Sequence, residues 1–154
     1  MKAMINIFLF LCFISVSYSQ IIEGEVIKIK DGDTIEILLE GNQPITIRLN
    51  GIDAPEKKQA FGQKSKEKLS EMIFGKIVKV DCNGKDRYGR VIGDIYLDEL
   101  NINEEMVQSG FAWHYKKYSK STVLAEYEDE ARSNKRGLWA EDYPTPPWDF
   151  RKKK

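Results

Sequence analysis

The sequence predicts an α+β domain, mainly β: a five-stranded barrel of the OB type with three helices. Three observations lead there. Apolar and polar residues alternate in three short runs before Asn50, and Asp-Gly and Gly-Asn pairs separate those runs. A helix-period stretch follows the third run. Two further alternating runs come after it, and two helical stretches close the chain. Five short strands with a helix after the third match a small closed barrel. The sequence carries no internal repeat and no sign of a second domain.

Composition agrees with one globular unit. The 154 residues include 24 Lys+Arg, 24 Asp+Glu, one His and two Cys, with 42% hydrophobic and 31% charged residues. These values exclude a disordered chain, a multi-span membrane protein and a disulfide framework. The formal net charge is zero. Bulk charge therefore cannot hold nucleic acid, and any such binding needs a local site.

Residues 1–19 read as a signal peptide. Lys2 precedes an apolar run over residues 5–16, and Ser17-Tyr18-Ser19 places small residues where a signal peptidase reads, with cleavage after Ser19. The rival readings are a short anchor or a buried helix. Cys12 follows Leu11 rather than a small residue, which argues against a lipoprotein. Cleavage removes Lys2 and Cys12, leaving 23 basic and 24 acidic residues, a net charge of −1 and Cys82 alone. The mature domain, 20–141, is then expected to be secreted or periplasmic, monomeric, free of internal disulfides and without stable membrane association.

The elements follow in order. A strand over 25–29 puts Ile27 and Ile29 on one face. After Asp31-Gly32-Asp33, a strand over 34–39 lines up Ile35, Ile37 and Leu39. A third, over 45–49, turns Ile45, Ile47 and Leu49 inward and Arg48 outward. A helix over 59–74 has Phe61, Ser65, Leu69, Met72 and Ile73 as its inner stripe, and Gly75 stops it. Strands over 77–82 and 90–97 flank an expected Asn83-Gly84 turn. Asn101 with Glu104 resembles a capping box for a short helix ending at Gly110. A third helix, 121–136, faces Leu124, Tyr127 and Ala131 inward, and Gly137 closes it. The Pro-rich basic tail, 142–154, reads as extended and solvated.

Charged clusters fall at strand ends and turns: Asp31-Gly32-Asp33-Thr34, Arg48, Asp53-Ala54-Pro55-Glu56 and Asp86-Arg87-Tyr88-Gly89-Arg90. Each alone reads as turn or surface chemistry. Together they place carboxylates and two arginines on separate loops of one small barrel. Oxygen donors without a His/Cys set favour Ca²⁺ or Mg²⁺ over Zn²⁺. Two arginines can clamp a phosphate, and a spare carboxylate can serve as a general base. These are the parts that phosphodiester hydrolysis requires.

In this order and spacing, the motifs closely resemble the staphylococcal nuclease (thermonuclease) family. The stretch 47–56, Gly110-Phe111-Ala112-Trp113 and Gly137-Leu138-Trp139 add to the likeness, which covers about residues 22–141. The resemblance implies an OB barrel with three helices that cuts DNA and RNA using Ca²⁺. It implies Asp33 and Asp53 as metal carboxylates and Ala54 as a backbone-carbonyl ligand. Glu56 matches the general base, with a purely positional role as the rival assignment. Arg48 and Arg90 match the arginines on the scissile phosphate, and Asp31 a nearby acid behind the ligands. Tyr88, Trp113 and Tyr115 match aromatic positions beside the nucleotide. Trp113 stands where the best-known member has tyrosine, and only Lys57-Lys58 separate Glu56 from the start of the expected helix.

The reading is therefore a calcium-dependent endonuclease acting on DNA and RNA with low sequence specificity, with single-stranded or melted substrate preferred. A non-catalytic OB-fold nucleic-acid-binding module is the alternative, and a structural exported domain is a third. His114, Trp139 and Trp148 read as packing residues, and Cys82 as a small core hydrophobe.

Overall fold

The computed structural model describes residues 20–152; the expected signal peptide lies outside the described residues. Strand β1 (Gln20–Asp31) is long and serves two neighbours. Its first half pairs antiparallel with β5 (Ile77–Lys85) and its second half with β2 (Thr34–Leu39). Strand β3 (Gln43–Leu49) continues the meander. Strand β6 (Val91–Leu97) runs antiparallel to β5 and parallel to β3, which closes the barrel. The expected five-stranded OB-type barrel is the architecture found. Two-residue strands β4 (Ile52–Asp53) and β8 (Trp113–His114) pair beside it, and β7 (Leu100–Asn101) edges β6.

The helices are α1 (Gly62–Ile73), α2 (Ile102–Gln108), α3 (Thr122–Ser133) and α4 (Pro147–Lys152), with a 3₁₀ turn over Gly137–Ala140. Burial follows the expected stripes in part. Ser65, Leu69 and Ile73 of α1 are buried, while Phe61 sits ahead of the helix in a left-handed conformation. Asn101 caps α2 as expected, its side-chain oxygen accepting from the Glu104 N–H at 3.1 Å. On α3, Leu124 and Ala131 are buried, joined by Glu128. Val26, Ile35, Ile37, Ile47, Leu49, Leu69 and Ile95 belong to the main core inside the barrel. A second apolar cluster, Trp113, Ala131, Leu138 and Trp139, lies beside it.

Three expectations need correction. Ile27 does not face inward with Ile29: it is exposed, and Val26 is buried instead. A bulge between Val26 and Lys28 reverses the alternation, so Val26 and Ile29, three apart, share the core face. The turn between β5 and β6 is not Asn83-Gly84. Strand β5 runs through those residues with an irregularity between Cys82 and Lys85, and the chain reverses over residues 86–89, where the Gly89 N–H donates to the Asp86 carbonyl. The tail is not extended and solvated throughout: Tyr143 is exposed, but the chain beyond it folds back on the domain. It forms α4, giving four helices among the described residues where three were expected, with Pro147 buried and Trp148 packed against the second cluster.

Candidate active site

The turn between β1 and β2 brings Asp31 and Asp33 to one end of the barrel. It is tight: a side chain at Gly32 would put its Cβ 2.7 Å from that of Ser65 and 2.8 Å from that of Ala54. Thr34 pairs with Arg48 across β2 and β3, so the Arg48 guanidinium lies beside Asp33. Its Nη2 is 3.1 Å from Asp33 Oδ2 and 3.1 Å from Asp53 Oδ1, and its Nη1 donates to the Leu49 carbonyl at 2.9 Å. Asp53 is held by the β4–β8 pairing, and the Ala54 N–H donates to Asp33 Oδ2 at 2.7 Å. Two carboxylates, one guanidinium nitrogen and the Ala54 peptide thus meet at a single point.

Glu56 joins this group through a residue that the sequence reading left in the solvated tail. Arg151 of α4 donates from Nη2 to Asp53 Oδ2 at 2.7 Å and from Nη1 to Asp53 Oδ1 at 3.2 Å and to Glu56 Oε1 at 2.9 Å. The signal available in the sequence was only an arginine in a basic run after a Pro-Pro-Trp segment. Nothing local in that run ties it to Asp53, nearly a hundred residues upstream.

The cluster is acidic, with Asp33 and Asp53 buried. Burial, then the neighbouring Asp33 carboxylate, pushes the Asp31 carboxyl up to about 7. Burial also raises Asp53, against the hydrogen bond from Arg151. The bond to Asp53 in turn makes Arg151 hold its proton more firmly. Carboxylates this buried favour a further positive charge nearby. The donors at the meeting point are hard oxygens, with no imidazole or thiolate beside them. Among the described residues no three His, Cys, Asp or Glu side chains form a metal-holding group. The Asp33 and Asp53 carboxylate oxygens are of the kind that suits a hard divalent cation.

Arg90 is turned to its own loop. It stands two residues ahead of Ile92, the partner of Arg48 across the parallel β3–β6 ladder. Its Nε donates to Asp86 Oδ2 at 2.6 Å. Burial works against ionisation of Asp86, but the Arg90 side chain and the Tyr88 and Arg90 N–H groups outweigh it and lower its pKa. Tyr88 is exposed on the same turn, with its hydroxyl accepting from Arg87 Nη2 at 2.6 Å.

The other two aromatic candidates part company. Trp113 is 5% exposed, packed edge-on against Trp139 and Trp148. Tyr115 is half-buried and lies parallel to Trp148. Beyond them opens a groove of about 450 Å³ lined by Tyr115, Lys116, Lys117, Glu128, Arg132 and Lys152, among others. Glu128 is fully buried and spoken for: it accepts from the His114 N–H at 3.1 Å and pairs with Lys116 at 2.9 Å and Arg132 at 3.5 Å. The groove is therefore cationic and aromatic on balance. His114, Trp139 and Trp148 pack as expected, and Cys82 is a free thiol against the core.

Known proteins with this pattern point one way. Residues 46–141 match the family model described as staphylococcal nuclease homologue. The chain is 44% identical to an uncharacterised endonuclease of Escherichia coli over 86% of its own length and 87% of the relative's. It is 46% identical to an uncharacterised endonuclease of Haemophilus influenzae, over 82% and 71% of the two chains. It is also 46% identical to a staphylococcal-like nuclease of Arabidopsis thaliana, over 70% of this chain and 33% of that longer protein.

Proposed function

Because the chain belongs to the staphylococcal nuclease family and is a nuclease hydrolase, we propose that it is a calcium-dependent endonuclease that cuts DNA and RNA with little sequence choice. Single-stranded or locally melted strands are its preferred substrates. The observation that carries this reading is Arg48 Nη2 at 3.1 Å from both Asp33 and Asp53, with Glu56 tied to the same Asp53 through Arg151.

In this reading a water attacks phosphorus in line and gives its proton to the Glu56 carboxylate. The bond from phosphorus to the leaving ester oxygen breaks on the opposite side; that oxygen keeps the bonding pair and takes up a proton from solvent water. Arg48 and Arg90 donate hydrogen bonds to the phosphate oxygens as negative charge grows on them, the stage at which such donors stabilise most. Asp33, Asp53 and the Ala54 carbonyl would hold Ca²⁺, which when bound supplies Lewis-acid polarisation of a phosphate oxygen. Asp31 accepts the Asp33 N–H at 3.1 Å and sets the charge behind the ligands.

Tyr88 and Tyr115 offer faces for bases, each stack being worth about 1–3 kcal/mol and tolerant of sequence. Trp113 backs Trp148, which in turn lies flat on Tyr115. The groove lined by Lys116, Lys117 and Lys152 carries the strand away from the cut. The protein works as a monomer and is secreted or periplasmic once its leader is removed. Among the described residues no helix is long and apolar enough to cross a membrane.

The test is incubation of the purified protein with plasmid DNA or RNA, in Ca²⁺ or in chelator. Fragmentation in Ca²⁺ alone is expected. Retention without cleavage in Ca²⁺ would overturn the enzyme reading.

A further inference from the structure

We propose that α4 is a working part of this site and that Arg151 is a positioning residue, holding Asp53 and Glu56 in one fixed relation. The proposal rests on the nuclease reading above. One planar guanidinium spans both carboxylates, with a fork onto Asp53 at 2.7 and 3.2 Å and a bond to Glu56 at 2.9 Å. A fork of this kind sets orientation as well as distance, which a point charge cannot do.

A second tie acts on the Glu56 main chain. The Gln59 side-chain amide accepts from the Glu56 N–H at 3.0 Å, and its other end donates to the Thr145 carbonyl. The C-terminal segment therefore grips Glu56 at both backbone and carboxylate. The segment is itself anchored. Pro147 is buried, and Trp148 packs on Trp113 and lies flat on Tyr115. Such anchoring suits a fixed wall better than a strap that lifts. The family match ends at Glu141, so this wall stands outside the matched region.

The arrangement has opposite consequences for two measurable quantities. Arg151 brings a positive charge onto the oxygens of Asp53 that a divalent cation would use. Removing it strips a competitor from Asp53 and frees Glu56 to swing. A purely structural prop would weaken metal binding and turnover together.

The experiment uses the full mature chain. Ca²⁺ affinity is measured by calorimetry without substrate, and kcat and KM on a single-stranded oligonucleotide, for wild type, Arg151→Ala and Arg151→Lys. Melting curves confirm that each variant is folded. In Arg151→Ala, kcat is expected to fall about ten- to hundred-fold, with KM little changed, since small misplacements cost that much. Ca²⁺ is expected to bind several-fold more tightly. Arg151→Lys restores the wild-type Ca²⁺ affinity but only part of kcat, because an ammonium cannot fork. Unchanged kcat in Arg151→Ala overturns the proposal. Raised kcat overturns it in favour of a blocking segment, and looser Ca²⁺ binding in favour of a structural prop. A wild-type chain that binds Ca²⁺ without cutting overturns the nuclease reading itself, and the proposal with it.

Discussion

Trp148 lies flat against Tyr115, with ring centroids 5.2 Å apart and planes within 3°. The contact joins the C-terminal helix to the segment after β8, and α4 is too short to hold its own shape without it. Trp148→Ala should therefore release α4 while leaving the barrel folded. Hydrogen exchange is the direct readout: the Asp149 and Phe150 amides, which donate to the Pro146 carbonyl at 3.1 and 3.0 Å, should lose protection. Amides of β5 and β6 should keep theirs. Protection unchanged at Asp149 and Phe150 would mean that the stack does not hold the helix.

Arg48 and Arg90 should separate in their effects on stability. Arg48 sits between two buried carboxylates, and removing one partner of a buried pair costs about 3–5 kcal/mol in reference cases. Arg90 pairs with Asp86 on an accessible turn, where such pairs contribute about 0–1 kcal/mol. Both arginines should matter for turnover, at about 100- to 1,000-fold for each alanine variant, by analogy with loss of a transition-state donor. Glu56→Gln should lower turnover similarly. Urea melts with oligonucleotide cleavage check this: Arg48→Ala is destabilised and slow, Arg90→Ala stable and slow. A fast, stable variant would remove that arginine from the mechanism.

The first meander and the five-stranded barrel were legible from local rules, whereas the roles of Asp33, Arg48, Asp53 and Glu56 came from the family resemblance, since each motif alone reads as turn or surface chemistry. Alternation set the faces of Ile35, Ile37 and Ile47, and Asp-Gly marked the first turn. The reading failed where one extra residue changes the register. The bulge after Val26 reverses Ile27, and the irregularity in β5 carries Asn83-Gly84 through the strand, although that pair is a strong turn signal. Glu128 was hidden by its charge: its place four residues after Leu124 and three before Ala131 is on the inner stripe, but only Lys116, Arg132 and the His114 N–H make a buried carboxylate tenable there. Arg151 was hidden by distance along the chain. A basic tail has no periodicity to show what its cations meet, and the anchoring of Thr145, Pro147 and Trp148 is what brings Arg151 to Asp53.

His114, one ladder position from Asp53, gives a pH dependence of its own. Burial lowers its pKa below the ordinary 6.5; the Glu128 carboxylate pulls the other way, and Lys116 adds to the lowering. Its Nε2 meets Ser119 Oγ at 3.1 Å, and its Nδ1 is buried with no hydrogen-bond partner among the described residues. The folded state therefore keeps His114 neutral where the unfolded chain protonates it. Stability from this residue is complete above pH 6.5 and is lost as pH falls from 6.5 through the depressed folded value, then levels off. Replacing His114 with Gln should flatten that acid limb by up to one proton's worth of slope in urea melts taken across the range. An identical slope in the variant would show that other groups carry it.

The loop after Glu56 provides the most local test of how the carboxylate is set. Gly62, the first residue of α1, packs so closely that a Cβ there would lie 2.0 Å from the Glu56 carbonyl oxygen. That oxygen already accepts the Gln59 N–H at 2.8 Å, and the Gly62 N–H donates to the Gln59 carbonyl at 3.0 Å. The obstacle is backbone, so no rotamer change relieves it. Gly62→Ala must move the Glu56 peptide or shift the start of α1. Alanine favours the helix intrinsically by about 1 kcal/mol, so a stability change set by propensity alone would be a gain. The expected result is the reverse: a lower melting temperature, and turnover reduced about ten-fold or more because displacement of a reacting group is costly. Lys64→Ala, an exposed change in the same first turn, should leave both close to wild type. A Gly62→Ala protein with wild-type turnover would show that Glu56 tolerates movement of its own backbone, and its role in taking the water's proton would lose its geometric support.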